Sequence, residues 1–371
     1  MRRAVERGRL PQTHGPDRSP PVNRPALLLA AAASLAAEGL YFPPENDARW
    51  ERVEPAAVGW NSQALEAVFD FARSRRSSAV VILHRGRILA ERHWDPPVDA
   101  GAQYRSSRTP DGQVLEDVAS VQKSVTATLF GIARHKGLVS LDDPASKHLG
   151  AGWTRSPASN EAKITLRHLL TMTSGLTDSL EFEAEPGSKW RYNSVAYRRL
   201  LAVLAKASAK SENEFTRLWL TGPAGMTHSK WQARPLAPDT FGFLSTARDL
   251  ARFGLLIAAG GVWNGKPVIE DRGWLRLMLS PSQQLNPAYG FLWWLNGHPV
   301  LRANGTRSAT LIPGAPADLV AALGALGRKV YVVPSRNLVV TRTGADPGPG
   351  GDAPFDREFW RLLGQAAGAG R

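Results

Sequence analysis

The chain has 371 residues, 43% of them apolar, which suffices for a large core in two domains or one elaborated one. It contains no cysteine, so disulfides and thiolate metal sites are excluded. The net charge of +13, from 46 basic and 33 acidic residues, is spread along the chain without the basic run and interleaved aromatics of a nucleic-acid surface.

The first element is an N-terminal segment. Arg2, Arg3, Arg7, Arg9, Arg18 and Arg24, against Glu6 and Asp17, precede the apolar run ALLLAAAASLAA at 26–37. That run suits the core of a signal peptide and falls short of the ~20 residues that span a bilayer. Residues 1–37 are therefore expected to be a targeting segment, with the mature protein exported to the periplasm or medium. A misassigned start, or a plain tail on a cytoplasmic protein, is the alternative. No stable membrane span is expected elsewhere.

After Trp60, the apolar spacing of Leu65, Val68, Phe69 and Ala72 predicts a helix capped by Asn61 or Ser62. AVVILHRGRILAERHW then reads as two strands about the turn Arg85-Gly86. Residues 96–115 are Pro, Gly and polar, hence loop. From 118 to about 280 the helical period dominates, in SVTATLFGIARHKG, TLRHLLTMTSG, SVAYRRLLAVLAKASA and TARDLARFGLLIAAGG. A second hairpin follows, Val330–Val333 and Leu338–Val340 about Pro334. A last helix carries Phe355, Phe359, Leu362 and Leu363 on one face. Strands at both ends and helices between them predict an α+β fold. One antiparallel sheet, built from residues 50–117 and 286–371, is flanked by the N- and C-terminal helices. Residues 118–285 form an inserted all-helical lobe, and the two lobes make one catalytic domain with its ligand site at the seam.

The chemistry centres on DVASVQKSVTATLF, residues 117–130. Ser120 and Lys123 share a helix face, and Ser120 falls where loop becomes helix. Its amide is then an unpaired first-turn donor that, with the helix dipole, favours an oxyanion. Lysine activates serine only if burial lowers its pKa, and Val121, Val125, Leu129 and Phe130 supply apolar surroundings. A simple N-cap with a solvated lysine is the plain alternative, and S-x-x-K alone is a weak signal. It occurs once here, and it is a nucleophile motif of penicillin-interacting enzymes.

Downstream stand PGSKWRYNSVAYRRLLAVL, TLRHLLTMTSGL, GPAGM, LSTARDLARFG and YGFLWWLNG. With Ser120-x-x-Lys123, this set resembles the class C β-lactamase-related serine hydrolases, in particular the branch of esterases and 6-aminohexanoate-dimer hydrolases. The resemblance runs from about Trp50 to Trp360. It implies a serine β-lactamase/penicillin-binding-protein-like fold with Ser120 as nucleophile and Lys123 as base. Tyr192 matches the tyrosine of the family's Y-x-N motif, the proton relay to the leaving group. The third position of that motif is Ser194, with Asn193 between, and either side chain is placed to bond Lys123.

The family usually carries K-T-G or H-x-G on a strand lining the site. Arg342-Thr343-Gly344 looks similar but ends the strand after the Pro334 turn, whereas the family motif precedes it. Position points instead to Ala322-Leu323-Gly324-Ala325, with Gly324 admitting the substrate close to the backbone and the Ala325 amide as second oxyanion donor. A basic or imidazole side chain is missing there. A substrate carboxylate, as in β-lactams or D-alanyl-D-alanine, is then disfavoured against a neutral ester or amide. Trp293, with Trp294 and Trp190, reads as pocket wall or as core. Glu181, Glu183 and Glu185 read as a solvated loop, or an attractor for an amine. Gly260–Lys266 imitates a P-loop, but Pro267 replaces its Ser/Thr and it follows a helix, so it reads as a turn.

The expectation is a serine hydrolase that cleaves a small-molecule ester or linear amide through an acyl-enzyme on Ser120, without metal, cofactor or nucleic acid. The alternatives are β-lactamase or D-alanyl-D-alanine peptidase activity, or a non-turnover acyl-binding sensor on the same fold.

Overall fold

The computed structural model describes residues 39–45, 49–97 and 106–368, apart from the side chains of 238 and 239. The expected targeting segment lies outside the described residues.

The N-terminal half of the main sheet forms as its patterning predicts. Helix α1 (Ser62–Ser74) starts at Asn61, whose side chain accepts from the Ala64 amide, and it buries Leu65, Val68, Phe69 and Ala72. Strands β1 (Ser77–His84) and β2 (Arg87–His93) meet at Arg85 and Gly86, with φ of 50° and 82°. Two successive left-handed residues make the tight hairpin turn whose twist matches the strands. After β3 (Ser106–Arg108) and β4 (Val114–Asp117) comes helix α2 (Val121–His135), which is buried on nearly all sides. Helix α3 (Ser194–Ser208) follows a long loop region with only short helices, such as Leu166–Leu170.

Residues 118–285 are not helical throughout, as the helical period had suggested. Strands β5 (Lys230–Arg234) and β6 (Ala237–Ser245) form a hairpin there and join a second sheet in the order β3-β4-β6-β5. Trp231 and Phe243 pair across that hairpin, with ring centroids 4.9 Å apart. An aromatic cross-strand pair stabilises a hairpin without any helical spacing. Helix α4 (Ala247–Ala258) is also assigned differently, since it packs on β1 and on two C-terminal strands of the main sheet.

Those C-terminal strands are β7 (Trp294–Leu295), β8 (Val320–Gly324), β9 (Arg328–Val333) and β10 (Leu338–Gly344). The main sheet runs β2-β1-β10-β9-β8-β7, antiparallel throughout. Alternation along β9 separates its two faces. Val330 and Val332 lie under Gly254 of α4, while Tyr331 meets Trp360 of helix α5 (Asp352–Ala366). Helices α1 and α5 pack together on that second face. The Gly260–Lys266 segment is a turn between the paired residues Val262–Trp263 and Lys266–Pro267.

Candidate active site

The site forms where α2 begins, against the free end of β8. Ser120 is the N-cap of α2, and Lys123 follows one turn later, only 3% exposed. The turn leading in is held open by Asp117. Its Oδ1 accepts from the Ala119 amide at 2.8 Å, and its carboxylate is gripped by Arg234 of β5 at 2.8 and 3.1 Å. Ala119 adopts φ of 51°, a left-handed conformation costly for a residue with a Cβ. The buried ion pair thus fixes a strained turn, and the turn presents Ser120. Sequence reading missed both residues, although an Asp two positions before a turn amide is a known local signal.

Lys123 Nζ stands 2.9 Å from Ser120 Oγ and 3.1 Å from Ser194 Oγ. It lies over the rings of Tyr192 and Tyr197, 4.6 and 4.2 Å from their centroids. No carboxylate pairs with it among the described residues. Its pKa is held well below the ordinary lysine value, by loss of solvation first and then by the charges of Arg198 and Arg234. Tyr192 moves the other way. Its ring packs among Trp190, Tyr289 and Trp294, and that burial raises the phenol above its usual range, while the Ser120 side chain pulls it back a little. Burial thus shifts both groups towards their uncharged forms, the amine by lowering its pKa and the phenol by raising it.

The remaining sequence-derived residues separate by role. Of the two residues after Tyr192, Ser194 is the one that reaches the lysine. Asn193 is corrected to a structural position. Its Oδ1 caps α3 by accepting from the Val195 and Ala196 amides, and its Nδ2 donates to the carbonyls of Leu176 and Thr177, so no group remains for a substrate. Trp293 is also corrected. It lies just before β7 and is fully buried against Phe253. Trp294 is the one that faces the site, stacked on Tyr192 at 5.9 Å.

Gly324 closes the other wall. A Cβ there would lie 2.4 Å from the Val118 carbonyl oxygen and 3.1 Å from the Ser120 nitrogen, so only glycine allows this strand end to approach the helix start. Among the described residues the Ser120 amide has no acceptor. Ala325, next in line, is exposed. Arg342, Thr343 and Gly344 are all buried in β10, where Arg342 donates to the carbonyls of Arg75, Leu326 and Ala345. Neither cation after β8 is turned to the site. Arg328 is fully buried on Glu116 at 3.1 Å, and Lys329 lies between Asp352 and Asp356. In the acidic loop, Glu183 pairs with Lys189 and Arg191, and Glu185 with Lys163. That loop is therefore largely neutralised. The described residues hold no cluster of three His, Asp or Glu suited to a metal.

The family model for beta-lactamase matches residues 62–365, most of the chain. The protein belongs to the beta-lactamase family. An uncharacterized protein of Alkalihalophilus pseudofirmus is 27% identical over 292 residues, covering 71% of this chain and 82% of that one. Penicillin-binding protein 4* of Bacillus subtilis is 26% identical over 165 residues, 37% of this chain and 35% of that protein. Among solved structures, a 6-aminohexanoate-dimer hydrolase homologue of Bacillus anthracis superposes with a TM-score of 0.65 at 16% identity, over 89% of this chain and 90% of that one. A beta-lactamase of Mycobacterium bovis gives 0.58 at 20% identity, over 82% and 98%. These likenesses establish the antiparallel-sheet fold of serine beta-lactamases and penicillin-binding proteins, and at family level a hydrolase. No helix among the described residues is long and apolar enough to cross a membrane.

Proposed function

We propose that this beta-lactamase family member is a serine hydrolase acting on a neutral carboxylic ester or linear amide. The observation that carries the reading is Lys123, desolvated, without a carboxylate partner among the described residues, and 2.9 Å from Ser120 Oγ. Its free electron pair takes the Ser120 proton as Oγ bonds to the substrate carbonyl carbon. The carbonyl electrons move to oxygen, and the resulting oxyanion is held by the Ser120 amide, the α2 dipole and the Ala325 amide. Collapse breaks the bond to the leaving group, which takes its proton from Tyr192. Lys123 returns a proton to the phenol, leaving the ester of Ser120. Water then attacks that ester with the same groups in reverse. Ser194 orients the amine throughout, in the place where the family pattern has asparagine.

The preference for a neutral substrate rests on the end of β8. Arg328 and Lys329 are committed to buried carboxylates, so neither of these two cations after β8 is offered to a substrate carboxylate. This counts against β-lactam or D-alanyl-D-alanine substrates. The apolar run at 26–37 supports export of the protein.

A fluorophosphonate probe tests the assignment. Wild-type protein is expected to be labelled on Ser120 and to hydrolyse short p-nitrophenyl esters with many turnovers, and Ser120→Ala to do neither. Equal labelling of both proteins removes the serine mechanism. Acylation without release leaves a sensor in place of an enzyme.

A further inference from the structure

A second cavity, of about 380 Å³, lies between α2, α3 and the β5–β6 hairpin. Its walls include Val195, Leu201, Trp231 and Phe241, and its polar lining includes Gln122 and Arg198. Arg198 is half-buried on α3. Its Nε is shut off from solvent without an acceptor, and among the described residues no carboxylate pairs with the guanidinium. A shielded guanidinium nitrogen without an acceptor is costly, and interior arginines are ordinarily matched, as Arg234 is by Asp117. Arg199 and Glu212 are the other charged residues lining the cavity, so its balance stays positive by one.

We propose that this cavity binds a small monocarboxylate with an apolar body, its carboxylate on Arg198 and its tail against Trp231 and Phe241. The planar guanidinium fork matches a carboxylate, and the volume is that of a small-molecule pocket. A single partly buried arginine among apolar walls suits this ligand better than a phosphate ester, which needs more donors.

The cavity also backs onto the catalytic lysine. Gln122, in its wall, donates to the Tyr197 hydroxyl, and the Tyr197 ring lies under Lys123 Nζ. The charged groups around that amine are Arg198 and the Arg234–Asp117 pair, and Tyr192, Tyr197, Ser120 and Ser194 are its uncharged neighbours. A carboxylate on Arg198 cancels one of the two charges that add to desolvation in lowering the pKa of the amine. The bound acid then favours the protonated amine and slows acylation. This consequence rests on the proposed serine mechanism, whereas binding itself does not.

Octanoate is the probe, titrated against full-length Ser120→Ala protein, with tryptophan fluorescence and Tm as readouts. The expected result is a saturable fluorescence change and a rise in Tm, retained in wild type after fluorophosphonate blocks Ser120. Arg198→Met is expected to weaken octanoate at least tenfold without lowering Tm in its absence, because it removes a cation that has no carboxylate partner among the described residues. Ala202→Trp, at an exposed position on the cavity rim, blocks access and serves as the second variant. Octanol is expected to bind at least tenfold more weakly than octanoate. In wild type, octanoate should move the acid limb of the labelling-rate profile to higher pH, and in Arg198→Met that limb should start higher and not respond. The proposal is overturned if octanoate leaves both readouts unchanged, if it binds Arg198→Met or Ala202→Trp as well as wild type, if blocking Ser120 abolishes binding, or if octanol or inorganic phosphate gives the same response.

Discussion

Gly324→Ala is the most direct test of the proposed oxyanion site. Gly324 has φ of −122° and ψ of 153°, ordinary strand geometry, so alanine brings no backbone strain. The whole effect is steric. The new Cβ would stand 2.4 Å from the Val118 carbonyl oxygen, and reaching even 3.0 Å requires the strand end and helix start to part by about 0.6 Å. Val118 cannot yield alone, since its amide is bonded to Phe243 and its carbonyl accepts from the Val121 amide. Oxyanion donors act within about 2.7–3.1 Å, so a displacement of this size takes the Ala325 amide out of range. Loss of one such donor costs about 10²–10³ in kcat, roughly 3–4 kcal/mol. Overpacking costs about 1–3 kcal/mol of stability besides. The assay is steady-state hydrolysis of p-nitrophenyl acetate, with Tm measured on the same sample. A fall in kcat with little change in KM is expected. A variant with kcat/KM within threefold of wild type and an unchanged Tm refutes the placement of the oxyanion at the end of β8.

Further outcomes follow from the same geometry. Lys123→Met should abolish hydrolysis and raise Tm at neutral pH. The unfolded lysine binds a proton that the folded amine resists, so the cost of this group grows as pH falls from the ordinary lysine value and is complete below its lowered folded pKa. For the same reason the rate should rise with pH through a limb well below the lysine range, and Arg234→Gln should move that limb upward. Ser194→Ala should lower kcat about tenfold with Tm unchanged, whereas Asn193→Ala should cost about 1–2 kcal/mol of stability through the lost helix cap. Glu91 is held down at about 2, as hydrogen bonds and charge from His93 and Arg248 overcome its burial. Its contribution is complete above the ordinary carboxylate range and is lost as pH falls towards 2, so Glu91→Gln should flatten acid denaturation across that window, measured by circular dichroism.

Local patterns carried much of this protein. The periodicity of α1 and α5, the Arg85-Gly86 turn and the Ser120-x-x-Lys123 spacing are set by neighbours within a few residues, so they are legible in one dimension. The β5–β6 hairpin escaped because its stabilising pair, Trp231 with Phe243, crosses strands and leaves no periodic trace. Trp293 and Trp294 are chemically alike, and only their packing, on Phe253 for one and on Tyr192 for the other, decides which of them faces the site.

Chain order alone put the third motif ahead of the Pro334 turn, and the structure sets Gly324 against the Ser120 amide. The sequence by itself determined that the Ser120 hydroxyl and the Lys123 amine stand side by side, because helical spacing joins residues three apart. Only the tertiary structure decided that the pKa of the amine is lowered, since that depends on burial and on Arg198 and Arg234, far away in the chain. It also decided that Asp117 and Arg234 fix the turn, and that Ser194 rather than Asn193 meets the lysine. Desolvation and long-range charge pairing are sums over everything within a few ångströms, and no local stretch of sequence contains those neighbours.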